Sequence, residues 1–542
     1  MRETARRLSN KKTIAETGLA YVIGSLSLHS PYGNTLLRTK KPYFPGEEKE
    51  LESEFDRLEE MMEFTSNNPK ETRALLESLC LAKDISGSVK RSEAVTLSVV
   101  EIFEIKAFLL LCEEIRKLIG EGSFELLPVS DALDILDPKG DRINTFYIYD
   151  EFSDKLSGLR EEKKSLDQEI RKIQRAKKEA IKSEYGINLT PKFDIVIPKS
   201  SDDVEKAKKI EDLEIVAEDY SQVTFALKPG DETFALLEKV DDINMAIEEE
   251  EEACCVKLSR EIWKYSDLIL ENGRRIGYLD LMLAKAIFSE NHKLVRPKLL
   301  DEYRLSIKNG RHLQVESILS SRGKEYCPIS MELEKGVTCI TGANMGGKTV
   351  SLKLAGLIMM MAQYGLFVPA EEVELGLSQF VGILIGDSQS MERGLSSFGS
   401  EMEELKDILS DAKDRSLILI DEIASGTNPS EGQALTESLI DYLAEKNYIC
   451  LITTHFDIKD ERAENLQVRG LIDADFRRLN SELSGADRNA RIDIIGKYMD
   501  YTLTRVEAGG EVPRDALNIA SMLGLPREII DGAREHLEED ER

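Results

Sequence analysis

The stretch Gly342–Thr349, with the sequence GANMGGKT, fits the phosphate-binding pattern G-x-x-x-x-G-K-[ST]. An apolar run precedes it at Val337–Ile340 and a helical run follows at Val350–Tyr364. Glycines let the backbone curl so that successive N–H groups face a phosphate chain, and the next helix adds its positive end. Lys348 would then reach the β- and γ-phosphates of ATP, and Thr349 would bind Mg²⁺. The alternative is a plain glycine-rich turn. The candidate nucleotide-binding residues are Gly342, Ala343, Asn344, Met345, Gly346, Gly347, Lys348 and Thr349.

A second pattern is the apolar run Leu417–Ile420 followed by Asp421 and Glu422. Such a run predicts a buried strand, and acids at its carboxyl end lie at the edge of the sheet where ligands bind. Asp421 is therefore a candidate Mg²⁺ ligand. Glu422 is a candidate catalytic base, free to polarise the attacking water. The alternative explanation is a helix N-cap.

A third run, Leu451–His455, also ends in polar residues after an apolar strand. His455 at this position favours a catalytic role as a sensor of the γ-phosphate, although a single histidine is often a surface or core residue. A fourth segment, Gly394–Met402, is rich in small hydroxyl residues and precedes an acidic helix. We predict that its Ser397 contacts nucleotide bound to another subunit; the alternative is a helix cap, with Ser400 and Glu403 forming a capping box.

Short β-branched runs alternate with helical segments beyond residue 300, which is typical of a parallel sheet flanked by helices. The predicted strands are Val337–Thr341, Val381–Ile385, Leu417–Asp421 and Ile449–Thr453.

The part before residue 300 is predicted to be mainly helical. Glu151–Ser183 has apolar residues near heptad spacing, which predicts a coiled-coil arm of roughly 50 Å. Ala253–Ser289 is its candidate antiparallel partner, and the run Glu248–Glu252 is interpreted as a solvated helix start. A β-rich tip is predicted between the two helices, with strands at Phe193–Ile197, Leu213–Glu218 and Val223–Leu227.

The predicted domains follow from these changes in pattern. They are a helical core at 1–150, an arm at 151–300 with its tip near 190–230, an α/β domain at 301–470 and a C-terminal segment at 471–542.

The formal net charge is −29, which disfavours generic binding to nucleic acid or an anionic membrane but leaves room for a local basic surface. The seven cysteines show no zinc-site spacing and indicate reduced thiols. No signal peptide and no membrane-spanning stretch is recognisable. We therefore expect a cytoplasmic protein without a membrane partner.

These motifs, in this order, resemble the ATPase domain of the MutS family, a branch of the ABC-type P-loop ATPases. Gly342–Thr349 is similar to the family's GPNMGGKS/T loop, with Ala343 in place of proline. Ser397–Met402 resembles its S-T-F-x-x-E-M element, which acts across a dimer. Asp421–Gly432 resembles its DE-x-x-x-GT-x-P-x-EG run in the version of the second-type, anti-recombination branch. Thr454-His455 matches its T-H switch.

The resemblance extends to Ala520–Pro526 and Ile529-Ile530, which are similar to the family's C-terminal dimerisation segment. It therefore implies an α/β P-loop ATPase domain on a helical core and clamp, working as a homodimer or as a heterodimer with a paralogue. Nothing in the sequence resembles the mismatch-reading wedge or the Smr nuclease domain. No residue can be assigned to adenine stacking.

The sequence is compatible with two kinds of client, that is, with two kinds of molecule that the arms could bind. One is duplex or branched DNA, gripped by the arms in repair or recombination. Its support is the family resemblance and the basic run of Arg171, Lys172, Arg175, Lys177, Lys178 and Lys182, which a solvated helix face would also explain. The other is a protein, since short MutS-like ATPases also resemble reactivases of cobalamin-dependent aminomutases. The strongly acidic composition favours this second client.

Overall fold

The computed structural model of the chain describes residues 7–342, 347–386, 397–424, 427–456, 462–471, 476–483, 491, 494–495, 497–506 and 515–540. The backbone forms two compact units. Unit 1 comprises residues 1–29, 33–73 and 278–542, and unit 2 comprises residues 30–32 and 74–277. Unit 2 is thus an insertion in the sequence of unit 1. The four-part division made from the sequence stays a prediction.

Unit 1 contains the α/β part of the chain. Its helices are α1 Lys11–Glu16, α2 Leu19–Gly24, most of α3 Pro31–Thr39, α4 Glu48–Asn67, the end of α12 Ser266–His292, α13 Leu313–Ser321, α14 Lys348–Gln363, α15 Ser397–Asp411, α16 Pro429–Ala444, α17 Phe476–Leu483, α18 Asp515–Met522 and α19 Arg527–Asp540. Its strands are β4 Lys298–Leu299, β5 Leu305–Gly310, β6 Ile329–Leu333, β7 Gly336–Thr341, β8 Glu372–Leu375, β9 Phe380–Ile385, β10 Ser416–Asp421, β11 Tyr448–Thr453, β12 Ala463–Gly470 and β13 Asp500–Val506.

The central sheet has six strands in the order β13-β12-β7-β11-β10-β9. Five of them are parallel, and β13 pairs antiparallel with β12 at one edge. The prediction of four parallel strands is confirmed in β7, β9, β10 and β11. Strands β12 and β13 were not predicted, because polar residues interrupt both and no continuous apolar run marks them. A second sheet, in the order β4-β8-β5-β6, was not predicted either.

Helix α14 follows β7 and packs on the central sheet. Most of its residues are buried, which explains the apolar sequence that runs through Leu357 to Ala362. At Gly356 an added Cβ would lie 2.6 Å from Thr17 and 2.9 Å from Leu419. A glycine is therefore required for the close approach that fixes α14, and with it Lys348 at its start.

A buried charged cluster holds the other end of α14. Glu54 accepts hydrogen bonds from Lys285 and Lys40, each at 2.8 Å, and from the Tyr278 hydroxyl at 3.0 Å. Lys285 also donates to the carbonyl oxygen of Gly365 at 2.9 Å, just beyond α14. Burial alone would raise the pKa of Glu54, but the two ammonium groups outweigh it and lower this pKa to about 2.

Unit 2 is mainly helical and carries one small sheet. Its elements are the end of α5 Pro69–Leu81, α6 Ser86–Arg91, α7 Val99–Ile119, α8 Ser130–Leu136, α9 Asp154–Tyr185, β1 Asp194–Pro198, α10 Asp203–Ala207, β2 Leu213–Glu218, β3 Gln222–Leu227, α11 Asp231–Lys264 and the first part of α12. The sheet has the order β1-β3-β2, and its three strands lie where the sequence predicted strands.

Helices α9 and α11 form an antiparallel pair. Ile170 packs against Leu236 and Val240 near one end, and Arg160 pairs with Glu251 at 2.6 Å nearer the other. Helix α9 closely follows the predicted Glu151–Ser183.

The predicted limits of the partner helix, Ala253–Ser289, are wrong. The partner α11 begins at Asp231, and the chain leaves the helix at Tyr265 before α12 begins. The Glu248–Glu252 run lies inside α11 and is not a helix start. Glu250 and Glu251 in this run bind residues of α9 and join the two helices.

None of the described helices combines the length and the hydrophobicity needed to cross a membrane.

Candidate functional site

The candidate phosphate-binding residues lie between β7 and α14. Strand β7 ends at Thr341, Gly342 follows with φ +127°, and Gly347 has φ +77° immediately before Lys348, the first residue of α14. Both glycines occupy the positive-φ region that other residues rarely adopt. Ala343, Asn344, Met345 and Gly346 lie outside the described residues.

Thr349 and Asp421 lie side by side. The Thr349 hydroxyl donates a 2.7 Å hydrogen bond to Oδ2 of Asp421, the last residue of β10. Asp421 is buried, so its oxygens face neighbouring protein groups more than bulk water. Two hard oxygen donors at this spacing suit Mg²⁺, which prefers oxygen ligands.

Glu422 lies beside two basic side chains. Its Oε1 accepts from Nε2 of His455 at 2.7 Å and lies 3.2 Å from Nζ of Lys348. The hydrogen bond from His455, which outweighs burial, lowers the pKa of Glu422, and the positive charge of Lys348 lowers it further. Glu422 is therefore an ionised carboxylate at neutral pH, as a catalytic base must be.

Lys348 has further partners at the same place. Its Nζ lies 2.9 Å from the carbonyl oxygen of Gly342 and 3.3 Å from Nδ1 of His455. A lysine that donates to Nδ1 leaves the proton of a neutral His455 on Nε2, where it faces Glu422. Burial lowers the pKa of Lys348, while Glu422 acts in the opposite direction.

The sheet explains why residues distant in the sequence meet here. Strands β7, β11 and β10 are parallel neighbours, so their carboxyl ends lie at one edge. Asp421 is in register with Thr453, and Thr453 with Ile340. The structure thus brings together Lys348, Thr349, Asp421, Glu422 and His455, as the sequence analysis expected.

Ser397 was predicted to contact nucleotide on another subunit. It begins α15, its side chain lies outside the described part of the chain, and so do residues 394–396. The alternative capping box is wrong, because the helix starts at Ser397 and Ser400 is already inside it.

Two residues of the site were missed from the sequence. The Thr453 hydroxyl donates to Oδ1 of Asp421 at 2.6 Å, and Oε1 of Glu401 accepts from the backbone N–H of Ala424 at 3.1 Å. Glu401 thereby holds a turn in which Glu422 and Ala424 have φ +49° and +59°. Thr453 could have been found as the strand residue two before His455, and Glu401 as the glutamate of the segment that resembles the S-T-F-x-x-E-M element.

A parallel sheet that gathers a lysine, a threonine and two acids at the carboxyl ends of neighbouring strands is typical of α/β proteins that bind nucleotides. Residues 338–541 match the family model of MutS domain V. This region of the chain is therefore a MutS domain V.

Individual relatives agree with the family model. The chain is 32% identical to the endonuclease MutS2 of Fusobacterium nucleatum over 57% of its own length and 37% of that protein. It is 34% identical to the endonuclease MutS2 of Shouchella clausii, over 52% of this chain and 33% of the relative. It is 30% identical to the DNA mismatch repair protein MutS of Streptococcus agalactiae, over 52% of this chain and 31% of the relative. The matches thus span about a third of the length of these relatives.

Proposed function

We propose that this chain binds and hydrolyses ATP at the edge of the central sheet and uses the turnover to change its grip on DNA. The observation that carries the proposal is the meeting of Lys348, Thr349, Asp421, Glu422 and His455 at the ends of three neighbouring strands. Their chemistry matches the needs of phosphoryl transfer to water, which are positive charge, oxygen ligands for a metal and a base.

Each side chain has a distinct role in this proposal. Lys348 binds the β- and γ-phosphates, and the N–H groups of Gly342–Lys348 surround the phosphate chain. Glu422 orients the attacking water and accepts its proton. His455 contacts the γ-phosphate and holds Glu422 in place.

Thr349 and Asp421 would hold Mg²⁺. The fit is supported by their hydroxyl and carboxylate oxygens, which lie 2.7 Å apart at the start of α14. The metal would supply positive charge to neutralise the charge that develops on the phosphates.

Lys348 also forms an ion pair with Glu422. When Lys348 turns to the phosphates, this pair is broken and Glu422 keeps His455 as its partner. Nucleotide binding thus frees one carboxylate lone pair for the water.

Replacing Lys348 with Ala is expected to lower the affinity for ATP by about 100-fold or more, because charge-assisted bonds to phosphate are among the strongest in proteins. Isothermal calorimetry with a non-hydrolysable ATP analogue measures the loss. Lys353→Ala is the matched control on the same helix, since Lys353 pairs with Glu16 away from the site. Equal affinities for the Lys348→Ala variant and the parent would refute the assigned role.

We propose further that the chain works as a dimer, with Ser397 of one subunit completing the nucleotide site of the other. Support comes from the C-terminal segment, where Leu523, Leu525 and Ile529 are exposed on and beside α18 and α19. Contacts of this kind between subunits would let ATP favour a closed dimer, provided that the closed form binds ATP more tightly. The partner is a second copy or a paralogue.

A basic stripe on α9 supports DNA as the client. It consists of Lys164, Arg171, Arg175, Lys178 and Lys182, whose spacing of three, four or seven residues places them on one helix face. The stripe is roughly 27 Å long at 1.5 Å per residue. The face opposite to it contains Leu166, Ile170 and Ile173, which pack toward α11. A row of positive charges along a rod suits a phosphate backbone.

The stripe can be tested by charge reversal. We expect the triple variant Arg171→Glu, Arg175→Glu, Lys182→Glu to weaken binding to duplex or branched DNA. It should also reduce the slope of log K against log salt by about two to three, since each phosphate contact contributes about 0.9. The triple variant Lys206→Glu, Lys208→Glu, Lys209→Glu changes the same charge on exposed residues at and just after the end of α10 and serves as the control. Equal losses in both variants, or no binding by the parent at low salt, would contradict a DNA-binding stripe.

A protein client is the second candidate, and one observation favours it. In the tip, residues 190–230, acidic residues outnumber basic ones, so this end of the arm repels a phosphate backbone. Under this alternative the ATP cycle remodels a protein, such as an inactivated cobalamin-dependent aminomutase. A pull-down with ATP and the Glu422→Gln variant, scored for DNA and for protein, separates the two clients.

A further inference from the structure

Thr453 is the last residue of β11 and is fully buried, in register with Asp421 on β10. We propose that Thr453 is a positioning residue that orients the metal-binding carboxylate of Asp421 and fixes the backbone of Glu422. This inference rests on the proposed function, because it assigns Asp421 to a metal and Glu422 to the water.

The Thr453 hydroxyl makes two contacts in opposite directions. It donates to Oδ1 of Asp421 at 2.6 Å and accepts from the backbone N–H of Glu422 at 3.1 Å. The same N–H also lies 3.1 Å from the carbonyl oxygen of Thr453. One hydroxyl group therefore contacts both the acid that would hold the metal and the residue that would activate water.

The other oxygen of Asp421 is held from the opposite side. Its Oδ2 accepts from the Thr349 hydroxyl at 2.7 Å. If Thr349 and Oδ2 of Asp421 held a metal ion, the hydrogen bond between them would be lost. The bond from Thr453 to Oδ1 is then the remaining protein contact among those described here that fixes the rotation of the carboxylate.

The backbone conformation of Glu422 also depends on the Thr453 hydroxyl. Its φ of +49° is a conformation that residues other than glycine rarely adopt, so neighbouring contacts must hold it. Strand pairing gives the N–H of Glu422 one acceptor, the carbonyl oxygen of Thr453. The hydroxyl adds a second acceptor on a side chain whose position is set by complete burial.

Replacing Thr453 with valine or with serine separates the shape of its side chain from its hydroxyl group. Valine has nearly the same shape but no hydroxyl, so Oδ1 of Asp421 would lose its donor inside the protein. Serine keeps the hydroxyl and loses only a methyl group. If Thr453 acts only through packing, valine should be the milder replacement. If Thr453 positions Asp421 and Glu422, serine should be the milder replacement.

The experiment measures metal and nucleotide binding separately from turnover. ADP and a non-hydrolysable ATP analogue are titrated by calorimetry in Mg²⁺ and in EDTA, and Mn²⁺ binding is followed by electron paramagnetic resonance. We expect Thr453→Val to weaken Mn²⁺ binding and Mg²⁺-dependent nucleotide binding by about 10- to 100-fold, the usual loss when the partner of a metal ligand is removed. Nucleotide binding in EDTA should be unchanged, which also shows that the variant is folded, and Thr453→Ser should stay within about threefold of the parent.

Thr436→Val is the matched control, because Thr436 is also buried and its hydroxyl bonds a backbone carbonyl in α16. Metal binding by Thr453→Val equal to that of the parent, or an equal loss in Thr453→Ser, would overturn the role of Thr453 alone. A parent protein whose nucleotide binding is insensitive to Mg²⁺ would overturn the proposed function together with this inference.

Discussion

Replacing Glu422 with Gln is expected to leave ATP binding intact and to lower the turnover rate by about 100-fold or more. A positioned general base contributes about 10²- to 10⁴-fold to a reaction of this kind, and an amide cannot accept the proton of the attacking water. The pKa of Glu422 is lowered, so the parent holds the required carboxylate at neutral pH. Steady-state phosphate release gives the rate, and calorimetry gives the affinity.

The Glu422→Gln substitution also tests the state of Lys348. The pair between Lys348 and Glu422 is absent in the variant, which leaves the lysine more available to the phosphates. ATP should therefore bind as tightly as in the parent or more tightly, and a dimer closed by ATP should persist. Glu445→Gln changes the same charge on an exposed residue and is the control. Equal hydrolysis in Glu422→Gln and the parent would remove Glu422 from the mechanism.

Replacing Lys285 with Met is expected to lower the free energy of unfolding of unit 1 by about 3–5 kcal/mol, the usual cost of breaking a buried ion pair from one side. Glu54 would keep Lys40 and Tyr278 but lose its most buried partner, and the carbonyl of Gly365 would lose its donor. Denaturant unfolding followed by circular dichroism measures the loss. Hydrogen exchange should increase at the end of α14.

The same cluster predicts a dependence on pH. The pKa of Glu54 is lowered to about 2, so its contribution to stability is complete above the ordinary value of 4.5 and is lost as the pH falls toward 2. Lys308→Met is the control for Lys285→Met, because Lys308 and its partner Glu371 are both exposed and such pairs contribute little to stability. Losses of similar size in the two variants would show that the buried cluster adds nothing to stability.

The sequence was sufficient for the elements with the strongest local patterns. Continuous apolar runs predicted β7, β9, β10 and β11. The pattern G-x-x-x-x-G-K-[ST] predicted Lys348 and Thr349 as site residues, and the polar residues at or after the ends of β10 and β11 predicted Asp421, Glu422 and His455. This worked because a parallel sheet buries both faces of its strands and places their carboxyl ends together.

Elements whose stability comes from distant contacts could not be found in this way. Strands β12 and β13 contain alternating or scattered polar residues, and they are strands because they continue the hydrogen bonding of β7. The acidic run in α11 suggested a helix start, yet its glutamates bind basic residues on α9. Thr453 and Glu401 act on the site through hydrogen bonds to Asp421, Glu422 and Ala424, and these bonds depend on how the strands and α15 are placed in the fold.

The insertion of unit 2 into unit 1 has a consequence for the synthesis of the protein. Leu8 bonds the backbone of Val381, and Lys12 pairs with Glu404, so the first segment finds its partners more than 300 residues later. At about 5–20 residues per second, roughly 10–40 seconds pass while the ribosome adds residues 74–277. The side chains of Leu8, Leu19 and Val22 are buried in the folded protein, and during this time the later part of unit 1 is not yet there to cover them. A chaperone that shields this early segment would therefore raise the yield of native protein more than one that acts after release.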